Sequence, residues 1–240
     1  SGLQALFAAS DGLDRQKLGA AAAVLRSFTV ISGGAGTGKT YTVRSVLALL
    51  WAQWASSEGP ARGSLRVALA APTGKAAARM KEALRSDLDA FIERSEAALP
   101  EASSRQALRD FIEELQPATL HRLLGWRPST PTRFRHGLDN PLPFDAVVVD
   151  EASMVDFALM TKLVEAVPPR ARLILLGDRN QLASVEAGTV LSDLCGPSRV
   201  DRVLLSDPFV QELEGKAGLS VRGDVEQAAA HDGDGGDERW

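Results

Sequence analysis

The sequence predicts an α/β fold, a mostly parallel sheet with helices on both faces. Three features lead there. Four short runs, 28–32, 67–71, 146–149 and 173–176, are rich in β-forming apolar residues and do not alternate with polar ones, as expected of strands buried on both faces. Helix-forming stretches separate these runs, and a glycine-rich turn joins the first run to the helix after it. Ligands of such open sheets bind beyond the carboxyl ends of the strands.

Taken in order, 14–26 reads as a helix, so that 1–27 forms an N-terminal helical segment leading into the first strand. After that strand, Val43, Val46, Leu47, Leu50, Trp51 and Trp54 recur at the spacing of one helix face. Residues 74–98 and 101–116, rich in Ala, Glu, Arg and Leu, predict two helices parted by Leu99-Pro100-Glu101. The stretch 127–143 carries four prolines and reads as a loop. A helix is expected over 155–167, stopped by Pro168 and Pro169. Trp126 and the other tryptophans read as core residues in preference to base-stacking platforms. The main α/β domain spans 28–205, and 206–240, which lacks core-forming periodicity, is left as an unassigned tail, either disordered or pieces of a longer chain.

Composition removes several function classes. A chain of 240 residues is long enough for a full hydrophobic core. Cys195 is its one cysteine, so an intramolecular disulfide and a cysteine-based metal site are both excluded, which fits a reducing compartment. The apolar stretch 18–31 is broken by Arg26 and Ser27, short of a membrane span, and neither a membrane segment nor a signal peptide is read. The 27 Lys and Arg against 31 Asp and Glu give a net charge of −4. Bulk charge thus argues mildly against nucleic acid as a partner, although a motor protein needs only a local positive groove.

The chemistry concentrates in three places. Residues Gly33, Gly34, Ala35, Gly36, Thr37, Gly38, Lys39 and Thr40 match G-x-x-x-x-G-K-[ST] between a predicted strand and a predicted helix. Glycines are needed because successive backbone N–H groups must turn inward around phosphates, where side chains would block the approach. Lys39 then offers a point charge to the β- and γ-phosphates of ATP, and the Thr40 hydroxyl offers a ligand to Mg2+. At the end of the run 146–149, Asp150 and Glu151 follow directly. Asp150 is expected to hold the Mg2+ shell and Glu151 to polarise the attacking water; a solvated pair at a helix start would look similar. Gln181, after the run 173–176, either reads the γ-phosphate or belongs to an ordinary polar turn.

These elements, in this order, make the sequence resemble superfamily one DNA helicases, most closely the RecD family, the alpha subunits of bacterial exodeoxyribonuclease V. The likeness is carried by Asp14-Arg-Gln-Lys17, the phosphate loop, Ala71-Pro-Thr-Gly-Lys-Ala-Ala-Ala-Arg79, Thr119-Leu-His-Arg-Leu-Leu-Gly125, Val148-Val-Asp-Glu-Ala-Ser-Met-Val155 and Leu176-Gly-Asp-Arg-Asn-Gln-Leu-Ala-Ser-Val185. The resemblance implies a RecA-like P-loop ATPase fold for 28–205, the first of two motor domains. It implies that Gln16 reads adenine, although taken alone Gln16 is an exposed polar residue on a helix. It maps contacts to single-stranded DNA onto Thr73, Lys75, Thr119 and His121; for the last two, a helix-capping threonine and a packed histidine remain the alternative. It further implies ATP-driven 5′-to-3′ movement, RecB-like and RecC-like partner subunits, action on double-stranded DNA ends in break repair, and a bacterial cytoplasmic setting. A stand-alone RecD-like helicase and a non-motor, nucleotide-dependent assembly module are the rival expectations. Little of a second motor domain is expected after Cys195, and Arg199, Arg202 and Arg222 receive no role as an arginine finger.

Overall fold

The computed structural model describes residues 14–34, 36–57, 63–127, 133–178, 189–195, 203–205, 207–217 and 225–227. Four of its strands coincide with the apolar runs: β1 (Phe28–Ser32), β2 (Val67–Ala71), β4 (Ala146–Val149) and β5 (Arg172–Gly177). With β3 (Ala118–Thr119) they form a five-stranded sheet in the order β1-β5-β4-β2-β3, every pair parallel. Sheets of this kind bury both faces, and every residue of β2 and β4 is buried.

The pleat divides the core in two. Val67, Leu69, Val148, Ile174 and Leu176 face α1 (Arg15–Leu25), α2 (Lys39–Ser56), α3 (Gly74–Arg85), α4 (Leu88–Arg94) and α5 (Ala102–Glu114). Ala68, Ala70, Val147, Val149 and Leu175 face α6 (Leu120–Leu123), α7 (Phe157–Ala166) and α8 (Thr189–Cys195). Alternate side chains of one strand thereby serve opposite layers. The architecture is that of an α/β RecA-like P-loop domain, as the sequence predicts.

The structure departs from the sequence expectations locally. The helix expected over 74–98 breaks after Arg85: Ser86 follows, Asp87 takes a left-handed φ of 51°, and α4 starts afresh. Aspartate tolerates that region better than most residues. The helix expected from 155 starts at Phe157, because the Asp156 carboxylate accepts the N–H of Leu159 at 2.7 Å and so caps it. The short β3 was not expected, and α6 is the helix that a capping Thr119 would start. Trp51 is buried as expected, but the Trp126 reading is corrected: its indole, just after α6, is 39% exposed among the described residues.

Within the stretch left unassigned, α9 (Asp207–Glu212) and the π-turn Leu213–Ala217 pack on the first core layer, with Leu213 fully buried. Arg26 holds this segment by an ion pair to Glu212 at 2.8 Å and by lying over the Phe209 ring. β6 (Val203–Leu205) and β7 (Val225–Gln227) make a separate parallel pair. Among the described residues no helix is long and apolar enough to cross a membrane.

Candidate active site

The phosphate-loop residues sit at the carboxyl end of β1. Gly33 continues the ladder, its N–H donating to Gly177 O at 3.0 Å, and this fixes the start of the loop beside the end of β5. Gly36 and Gly38 take φ of 76° and 78°, open to glycine and costly for other residues. A Cβ on Gly33 would come 2.6 Å from Thr37 Oγ1, and one on Gly38 would run into the Gln16 amide. Ala35 lies outside the described residues. Helix α2 then begins at Lys39 with 18 residues, no side-chain cap and no acid in its first turn, so its N-terminal partial charge is uncompensated by the helix itself.

Lys39 and Asp150 face one another across the loop. Lys39 Nζ donates to Gly33 O at 2.5 Å and to Gly34 O at 3.0 Å. Asp150 closes β4, its N–H donating to Ala70 O, and it is half-buried. Burial pushes its carboxyl above the ordinary value of 3.8, while the N–H of Glu151 and the charge of Lys39 pull it down. Glu151 N–H donates to Asp150 Oδ1 at 2.9 Å, and Glu151 itself has φ 53°. For a glutamate that conformation costs about 1–3 kcal/mol, the kind of strain that collects at functional positions. Buried Ala152 and Ser153, in the 3-10 turn that follows, hold it there.

Lys39, Thr40, Asp150 and Arg79 line one cleft of about 130 Å³. Arg79 ends a block quoted above without any role for it; the signal was its place on α3, four residues beyond Lys75. Among the described residues there is no cluster of three or more acidic, histidine or cysteine groups able to cage a metal. One hydroxyl and one carboxylate suit Mg2+ held jointly with phosphate oxygens and water, so the donor set fits Mg-ATP, as do the glycines whose Cβ positions are obstructed.

Gln16 joins this site although it lies 21 residues before Thr37. Asp14 caps α1 by accepting the N–H of Gln16 and of Lys17, and the Gln16 amide donates to Thr37 O at 2.9 Å. Gln181 lies outside the described residues.

On the next strand ends, Ala71 is in register with Thr119. Thr73 caps α3 by accepting Ala76 N–H, and Thr119 caps α6 by accepting Arg122 N–H, each at 3.2 Å. Each hydroxyl keeps its own proton to donate. Lys75 and His121 are exposed, and the His121 ring stands 6.1 Å from Trp126 and 6.0 Å from Phe134. Thr119 does cap a helix, as one expectation held, and Thr73 caps one too, which was not expected, while His121 packs on aromatics yet stays accessible.

Sequence reasoning missed Arg44. It sits on α2, 5% exposed, and its guanidinium donates to Leu84 O, Ala83 O, Ser86 O and Ser86 Oγ at the end of α3. The helix rising from the phosphate loop is thus tied to the helix that begins at Thr73. A larger cavity, about 820 Å³, opens at the amino ends of β2, β4 and β5. Its charges are answered within the protein: Arg172 donates to Val24 O and Gln53 Oε1, and Arg66 pairs with Asp145. It lies at the end of the sheet away from the glycine loop.

This fold and this loop define a P-loop nucleotide-binding domain. A family model described as AAA domain matches residues 16–187, and the chain belongs to that family. It is 44% identical over 227 residues to the RecBCD enzyme subunit RecD of Mycolicibacterium smegmatis, an alignment covering 91% of this chain and 37% of that protein. It is 50% identical over 183 residues to the RecBCD enzyme subunit RecD of Mycobacterium tuberculosis, covering 76% and 29%. The ATP-dependent RecD2 DNA helicase of Deinococcus radiodurans is 37% identical over 192 residues, 78% of this chain and 21% of that protein. The similarity is therefore to RecD-type helicases, and the chain spans less than two-fifths of the length of these relatives.

Proposed function

We propose that the chain is the first motor domain of a RecD-type helicase, one that couples ATP hydrolysis to 5′-to-3′ movement on single-stranded DNA. The observation that carries this reading is the convergence of Lys39, Thr40 and Asp150 on one cleft at the carboxyl ends of β1 and β4, with the Glu151 N–H donating to Asp150. Thr73 and Lys75 lie on the neighbouring strand end.

The loop N–H groups and the start of α2 bind the triphosphate of ATP, and Lys39 exchanges its loop carbonyls for β- and γ-phosphate oxygens. Thr40 and Asp150 hold Mg2+, which when bound supplies the positive charge that neutralises the phosphate oxygens. Glu151, kept in its left-handed turn by Asp150, orients the attacking water and takes its proton. Gln16 reads the adenine edge, and Gln181 reports the γ-phosphate. Thr73, Lys75, Thr119 and His121 contact the strand.

The mycobacterial likeness favours a subunit that works with RecB-like and RecC-like proteins on double-stranded DNA ends in the bacterial cytoplasm. A stand-alone helicase of the RecD2 kind is the second reading, favoured by the Deinococcus likeness; failure to co-purify with large subunits would select it. The catalytic assignment is tested by nucleotide affinity and single-turnover hydrolysis in parallel. Lys39→Ala should lose both, and Glu151→Gln should keep affinity while hydrolysis falls by orders of magnitude. Normal hydrolysis in Glu151→Gln would remove Glu151 from its role. A nucleotide-dependent assembly module would bind ATP without any acceleration of its hydrolysis by single-stranded DNA.

A further inference from the structure

We infer that Trp126 is a nucleobase-stacking platform for single-stranded DNA, which rests on the reading of this sheet edge as the DNA-facing one and adds a residue to it. Thr119, at the end of β3, is in register with Ala71, two residues before Thr73. Trp126 follows one helical turn later, so its ring extends the Thr73, Lys75, Thr119 and His121 surface.

The indole is exposed, edge-on to the His121 ring, and its backbone is held. Its backbone N–H donates to His121 O at 2.8 Å, and His136 N–H donates to Leu124 O at 3.0 Å. Gly125, at φ 75°, lets the chain pass so close to Arg135 that a Cβ would come within 2.6 Å of that side chain. Asn140 Nδ2 donates to Arg135 O at 2.8 Å and closes the far side of the loop. An aromatic surface fixed in this way loses little freedom when a base lies on it.

Charge decides what lies on it. Between Glu114 and Asp139 the sequence has no acidic residue, yet it holds Arg122, Arg127, Arg133 and Arg135 together with His121 and His136. The four arginines are exposed, and among the described residues none pairs with a carboxylate. In a chain of net charge −4 this is a local positive surface around an accessible ring. That pairing of backbone-tracking cations with a stacking face is what single strands bind.

The test compares an oligodeoxythymidine with an abasic deoxyribose-phosphate strand of equal length, using the full chain and fluorescence anisotropy. The parent should prefer the strand that carries bases. Trp126→Ala should lose about 5- to 100-fold in affinity for it, little for the abasic strand, and nothing in the salt slope. Trp126→Leu, which keeps apolar bulk without a π-face, should lose the same preference, and Trp126→Phe should retain most of it. Mg-ATP affinity, measured on each variant, reports that the domain is folded. If Trp126→Ala and Trp126→Leu keep the preference, or lose both strands equally, the ring serves the fold or a protein contact and the inference falls. If the parent binds neither strand, the DNA reading of the whole edge falls with it.

Discussion

Replacing Arg44 with Met is the sharpest test of how the two helices beside the site are joined. The guanidinium has four acceptors at the end of α3, where the last carbonyls of any helix lack intrahelical partners. Ala83 O would keep the Ser86 hydroxyl, which already donates to it at 3.0 Å. Leu84 O and Ser86 O would be left without their donor, at about 1–3 kcal/mol each. Against this, the native state no longer buries a charge, which returns about 1–4 kcal/mol when a buried ion is replaced by an apolar side chain of similar volume. Burial indeed pulls Arg44 below the usual guanidine value, with Asp87 opposing that shift. At the midpoints of these ranges the balance is a net loss of about 1.5 kcal/mol, and for a chain of this size that lowers Tm by roughly 3–6 °C. Differential scanning calorimetry of the parent, Arg44→Met and Arg44→Lys measures it. Lysine, with a charge but no fork, should fall between the other two. An Arg44→Met protein melting at or above the parent would show that desolvation consumes all that the four bonds return, and the tie between α2 and α3 would be no source of stability.

Gln16→Ala should reduce the preference for ATP over GTP, measured by competition binding, with little change in overall Mg-triphosphate affinity; an unchanged preference refutes the adenine role. Lys75→Ala should weaken single-strand binding across sequences and shrink the log–log salt slope by about 0.7 if one phosphate contact is lost; an unchanged slope and affinity return Lys75 to the solvated surface. Asp150 has a folded value above its unfolded 3.8, so the native state binds this proton more readily, and stability of the nucleotide-free chain falls as pH rises from 3.8 through the folded value. Asp150→Asn should therefore melt above the parent at neutral pH, lose that advantage at pH below 3.8, and fail to hydrolyse ATP; equal melting at neutral pH refutes the burial cost.

What the sequence made legible were groups whose residue type is itself the signal. β2 and β4 could be read because burial on both faces demands an unbroken apolar run, and the phosphate loop because backbone must approach phosphate where a Cβ at Gly33 or Gly38 would obstruct. Asp150 and Glu151 stood out as carboxylates at the end of such a run. The residues that escaped share a different feature: their partners are backbone carbonyls, which every residue carries. Arg44 reaches carbonyls 39 to 42 residues away, and nothing in the side chains of Ala83 or Leu84 announces them. The Gln16 amide likewise meets Thr37 O, so its place beside the loop is invisible without either family resemblance or coordinates. Trp126 misled for the complementary reason: a tryptophan after Leu123 and Leu124 reads as core by composition, whereas its place just after α6, beyond the edge strand β3, leaves the ring 39% exposed. Pattern thus identifies the groups assigned to phosphate, whereas the geometry that joins the glycine loop to the neighbouring strand ends runs through backbone atoms and sheet order, so tying residues such as Arg44 have to be sought in structures.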